Sequence, residues 1–156
     1  MIKKILILIF ISFTATSCGY APIYSDKNAT DFEITDFKID GNSKVNNIIK
    51  SKLQEYFNNQ SMKKYLVNIK TSFDKTSAAK DVTGKTTDFK FTINLKLNYI
   101  KTDLDNSKKE KIINFSESQI IRREQNNYEQ GNYENILIKN MTEILINKVI
   151  LHLART

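Results

Sequence analysis

Between Phe89 and Tyr99 every second residue is large and apolar (Phe89, Phe91, Ile93, Leu95, Leu97, Tyr99), and every residue between them (Lys90, Thr92, Asn94, Lys96, Asn98) is polar. Side chains of an extended chain point to opposite faces in turn, so this run reads as a strand with one dry face and one wet face. A sheet built around it must be covered on a single side. Tyr65, Val67, Ile69, Thr71 and Phe73 repeat the same period. Ile113, Phe115 and Ile121 repeat it less cleanly, because Glu117 and Gln119 share their phase. Earlier in the chain Phe32 and Ile34 fall on one phase and Phe37 and Ile39 on the other, which predicts a strand over 32–40 interrupted by a phase-shifting bulge.

The cover for the dry face is legible as two helices. After a turn at Asp40-Gly41-Asn42, Ser43 reads as an N-cap, and Val45, Ile48, Ile49, Leu53, Tyr56 and Phe57 follow at helical spacing. A long final helix begins at Asn132 or nearby; Tyr133, Leu137, Met141, Ile144, Leu145 and Leu151, flanked by further Ile, Val and Leu, give it an apolar arc broad enough to be largely buried. The order is strand, helix, three strands, helix. Polar hairpin connections at 79–86 and 103–109 favour antiparallel pairing, so the expected fold is an α+β two-layer sandwich: a mostly antiparallel four-stranded sheet covered on one face by two helices. With 156 residues, one proline and four glycines, the chain supports one core and carries no linker-like tract. The domain is placed at 32–156.

The N-terminus has a different character. Lys3 and Lys4 precede an apolar run from Ile5 to Phe13, and Thr14-Ala15-Thr16-Ser17 is small and polar, the three zones of a secretory signal peptide over 1–17. The apolar run is far shorter than the roughly 20 residues that cross a hydrocarbon core. Ala15-Thr16-Ser17-Cys18, followed by Gly19, resembles the lipobox of bacterial lipoproteins, with Ala15 where leucine is usual. That resemblance implies that Cys18 is acylated and becomes the new N-terminus, with residues 18–31 as a lipidated tether. Cys18 is the only cysteine, so an intramolecular disulfide or a thiolate metal cluster is excluded. Net charge is +7, or +5 once Lys3 and Lys4 are subtracted with the signal. Such basicity attracts anionic partners without choosing among them, and an excess of Lys, Ile and Asn also follows from a biased composition.

Reactive constellations are not found. The one histidine, His152, falls on the last turns of the final helix, where an unremarkable surface or core role is expected; no metal site, cofactor or catalytic group is expected, and the chain is not read as an enzyme. Ala79-Lys80-Asp81-Val82-Thr83-Gly84-Lys85-Thr86 imitates a phosphate-binding loop, but such a loop opens a helix, and here the Phe89–Tyr99 strand follows. It is read as a polar hairpin. Neither helix has a regular basic stripe and the wet face has no paired aromatics, so no nucleic-acid partner is expected.

Cys18-Gly19-Tyr20-Ala21-Pro22-Ile23-Tyr24 resembles the Cys-Gly-aromatic-x-Pro-Leu-Tyr opening of alphaproteobacterial LPS-assembly lipoproteins, the LptE family. Tyr20 and Ile23 replace the commoner Phe and Leu. Thr83-Gly84-Lys85-Thr86-Thr87 leading into the alternating strand, and Asn127-Tyr128 before the last helix, are similar to that family's middle and end. The resemblance implies an outer-membrane lipoprotein on the periplasmic face, plugging and helping to assemble an LptD-like β-barrel and assisting lipopolysaccharide passage. Basic residues would then meet lipid A phosphates, and the candidates are Lys80, Lys85, Arg122 and Arg123. Two other readings stay open at this stage: an interaction lipoprotein of another envelope complex, and a stand-alone lipid-binding lipoprotein.

Overall fold

The computed structural model describes residues 32–57, 61–102 and 110–156. The signal peptide at 1–17, the tether with Cys18, and the connection at 103–109 lie outside them. Six elements follow in the expected order: β1 (Glu33–Asp40), α1 (Ser43–Gln54), β2 (Lys64–Lys80), β3 (Thr86–Thr102), β4 (Glu110–Arg122) and α2 (Asn127–Arg155). The sheet runs β1-β2-β3-β4, with β2–β3 and β3–β4 antiparallel and β1–β2 parallel. The parallel pair follows from α1, because two parallel strands need a crossover, which the helix supplies.

Alternation decides the two faces as expected. Tyr65, Val67 and Ile69 of β2 and Phe91, Ile93, Leu95, Leu97 and Tyr99 of β3 are buried under the helices. Their polar neighbours form a hydrogen-bonded mesh on the open face: Asn94 donates to Ser72 Oγ at 3.2 Å, Ser116 donates to Asn94 Oδ1 at 2.8 Å, and the Thr92 and Ser118 hydroxyls meet at 3.1 Å. The phase shift in β1 is real. Register slips between Ile34 and Asp36, which lets Ile34 and then Phe37 and Ile39 all turn toward the helical layer.

Both helix starts differ from expectation. Asn42, not Ser43, caps α1, its side-chain oxygen accepting from Lys44 N at 3.1 Å and Val45 N at 3.2 Å. The turn before it is tight: Gly41 has φ +115°, and a Cβ there would lie 2.0 Å from the Thr71 carbonyl oxygen. Helix α2 begins at Asn127, capped by Asn126, rather than at Asn132. Its first turns are held by polar groups. Gln130 accepts from Glu124 N at 2.7 Å and donates to Glu134 at 2.6 Å, and Glu134 also pairs with Lys75 at 2.6 Å.

The arc of α2 is only partly buried. Leu137, Ile138, Met141, Leu145, Ile146, Val149, Ile150 and Leu153 enter the core, while Tyr133, Ile136, Ile144 and Leu151 stay exposed on the outer side. One sheet below and one helix beside cover two sides of a cylinder and leave the third. At the far end of the core the Tyr65 hydroxyl donates to Leu153 O at 3.1 Å, and the Tyr99 hydroxyl meets His152 Nε2 at 2.9 Å. His152 thus packs at the edge of the core, against Tyr99 and Phe115. Burial, and then the nearby charge of Lys111, holds its pKa below the usual histidine value.

Candidate functional site

The long hairpin of β2 and β3 projects beyond the helical layer. Residues 74–80 of β2 are exposed, yet they stay extended because all but Ala78, which falls at a register shift, still pair with β3, down to Lys80 opposite Thr86. The turn is built by one carboxylate. Asp81 Oδ1 accepts from Thr83 N at 2.9 Å, from the Thr83 hydroxyl at 2.6 Å and from Lys85 N at 3.0 Å, while Gly84 takes the left-handed φ of +83° that closes the loop. The Thr83 hydroxyl, then the Lys85 and Thr83 amides and the Lys85 charge, hold the Asp81 carboxyl below the ordinary range. Asp81 is an anion at neutral pH.

Register brings the distant basic residues beside this turn. Asp88 of β3 stands opposite Arg122 of β4, and the next residue, Arg123, donates its N–H to Thr87 O at 2.8 Å. Lys85, Arg122 and Arg123 thereby line one open groove of about 360 Å³ together with Asp81, Thr86, Thr87, Glu124 and Gln125. Lys80, the fourth candidate, sits on the last step of β2 and does not line it. Three cations therefore face two carboxylates, which leaves the groove with a net charge of +1 rather than an unopposed basic patch. Sequence reasoning missed the part played by Asp81 and Glu124; the signal available was that each lies within a residue or two of a named cation.

Chemically this groove offers two guanidinium forks and an ammonium to an anion, on a rigid strand-and-turn frame. Among the described residues there is no group of three or more His, Cys, Asp and Glu placed to hold a metal ion, and no helix long and apolar enough to cross a membrane.

A mixed four-stranded sheet with two helices on one face is an α+β sandwich, a fold also seen in solved bacterial lipoproteins. Rare lipoprotein B from Shewanella oneidensis superposes with a TM-score of 0.57 at 8% identity, over 78% of this chain and 95% of that one. An uncharacterized lipoprotein B from Nitrosomonas europaea superposes with a TM-score of 0.56 at 9% identity, over 80% and 86%. At such identities the likeness is one of fold. No sequence-family profile matches the chain, and no curated protein matches it by sequence.

Proposed function

We propose that this chain is an envelope lipoprotein of the LptE type, acylated on Cys18 and held at the periplasmic face of the outer membrane, where it plugs and helps assemble an LptD-like β-barrel and assists lipopolysaccharide passage. One coincidence carries the reading: the Cys18-Gly19-Tyr20-Ala21-Pro22-Ile23-Tyr24 opening stands on the same chain as a fold shared with two lipoproteins over most of its length. The surfaces suit the role. A barrel lumen is polar. The mesh of Ser72, Thr92, Asn94, Ser116 and Ser118 is polar and hydrogen-bonded within itself, and suits contact with such a wall. The groove of Lys85, Arg122 and Arg123 supplies the charge-assisted donors a phosphorylated glycolipid needs.

The deciding experiment is purification of the tagged full chain in mild detergent from a Gram-negative host, with its stable partner identified by mass. The expected partner is one large outer-membrane β-barrel, and recovery with a different envelope complex, or with nothing, would overturn the reading. Within that preparation, Lys85→Glu with Arg122→Glu is expected to lower retained lipopolysaccharide by about tenfold or more while leaving the unfolding midpoint in place, since each reverses a charge-assisted contact on an exposed residue. Undiminished lipopolysaccharide would remove the groove from the account. Cys18→Ser is expected to accumulate the unprocessed precursor.

A further inference from the structure

The outer side of α2 breaks the usual rule for a surface helix. At 100° per residue, Tyr133, Ile136, Asn140, Ile144, Asn147 and Leu151 fall within 40° of one line facing away from the sheet. None of these six is charged, although Glu129 continues the line one turn before Tyr133, and the four apolar members are 44%, 58%, 45% and 39% exposed in chain order. The outer side of α1, by contrast, carries Ser43, Lys44, Asn47, Lys50, Ser51 and Gln54, all exposed. The α2 stripe is about 27 Å long, with Lys139 and Glu143 along one margin and Lys148 and Arg155 along the other.

The stripe is self-complementary. Tyr133 and Leu151 lie nine residues either side of Thr142, Asn140 and Ile144 two residues either side, and Glu129 and Arg155 thirteen either side. A two-fold axis through Thr142 therefore lays one α2 antiparallel on another with Tyr133 against Leu151 of the second copy and Asn140 against Ile144. Lys139 then comes within about two residues of Glu143 on each side of the axis, and Arg155 of one copy ends level with Glu129 of the other. A parallel pairing would instead set each of these charges against its own kind.

We infer that a second copy of this chain docks on the outer face of α2, forming an antiparallel, two-fold symmetric dimer centred on Thr142. Two helices meeting over about 27 Å bury less than the roughly 1,000 Å² expected of a permanent interface. The dimer is therefore weak and reversible, with a Kd on the order of 10–100 µM. This inference stands on α2 alone and does not depend on the role proposed above.

The test is the mass of the full chain in detergent micelles, by light scattering with the detergent contribution subtracted, from about 1 to about 500 µM. The wild type is expected to pass from monomer to dimer over that range, and Ile144→Lys to remain monomeric with an unchanged circular dichroism spectrum. Lys139→Glu is expected to weaken the dimer several-fold, and adding Glu143→Lys to restore it, which a non-specific apolar association would not do. A wild type that stays monomeric throughout overturns the proposal. So does a dimer that ignores Ile144→Lys, or one whose charge reversal is not rescued.

Discussion

At the scale of single residues the fold depends most sharply on the joint between Gly41 and Thr71. Gly41 turns the chain out of β1 with a positive φ, and no side chain fits, because the Thr71 carbonyl occupies the Cβ position. The Thr71 hydroxyl accepts from Asn42 N at 3.1 Å and donates to Asn46 Oδ1 at 2.6 Å, so β2 holds the start of α1 directly. Gly41→Ala is expected to cost on the order of 3 kcal/mol or more, combining left-handed strain with a backbone clash. Denaturant titration would read it, and a loss below about 1 kcal/mol would mean that the turn relaxes. His152 gives a second residue-scale expectation. Its pKa is lowered in the folded chain, so between the ordinary histidine value of 6.5 and that lower value the unfolded chain binds more protons than the folded one. Stability from the neutral ring is thus complete above 6.5 and is lost as pH falls. His152→Gln, which keeps a hydrogen-bonding partner for Tyr99, should flatten the decline in unfolding midpoint between about pH 7 and pH 5. An identical slope in both proteins would assign the decline to other groups.

At the scale of elements, periodicity read what burial controls and missed what polar groups control. The dry face of β3, the bulge in β1 and the core side of both helices were legible because each leaves an apolar residue at a fixed interval. The first turn of α2 was not. Asn127-Tyr128-Glu129-Gln130-Gly131 has no apolar period and contains a glycine; it is helical because Asn126 caps it and because Gln130 and Glu134 tie it to Glu124 and Lys75. The same blindness applies to residues 74–80, which hold strand geometry through pairing with β3 and bury almost nothing. It follows that Glu134→Ala should loosen α2 from its N-terminal end. Lys75 then keeps only the faces of Phe89, at 4.2 Å, and Phe91, at 5.6 Å. The expected global cost is about 1 kcal/mol, since the pair is partly solvated. Faster amide exchange should be confined to about 127–134, and uniform acceleration along all of α2 would contradict a local tie.

At the scale of the whole molecule, the candidate groove shows where a single sequence stops being readable. Lys85 and Arg122 are 37 positions apart (122 minus 85), and their meeting is set by the β3–β4 register, which places Arg122 opposite Asp88. Nothing local to either residue encodes that. Register also fixes the long dimension of the protein. Glu33, where the described chain begins its first strand, pairs with Lys64 at one end of β2, while the groove lies beyond Lys80 at the other. Sixteen residue steps of about 3.3 Å make that distance about 50 Å before twist shortens it, against about 40–45 Å for a bilayer with its headgroups. On the proposed reading, a tether anchored on the periplasmic side holds the Glu33 end there, and the hairpin reaches toward the opposite surface. Met62 and Val82, 97% and 105% exposed, mark the two ends, and Cys18, the one native cysteine, is blocked by its lipid on that reading. In intact cells a membrane-impermeant maleimide is expected to label Val82→Cys and spare Met62→Cys, with both labelled after lysis. Protection of both would place the whole domain in the periplasm, and labelling of Met62→Cys alone would invert the molecule.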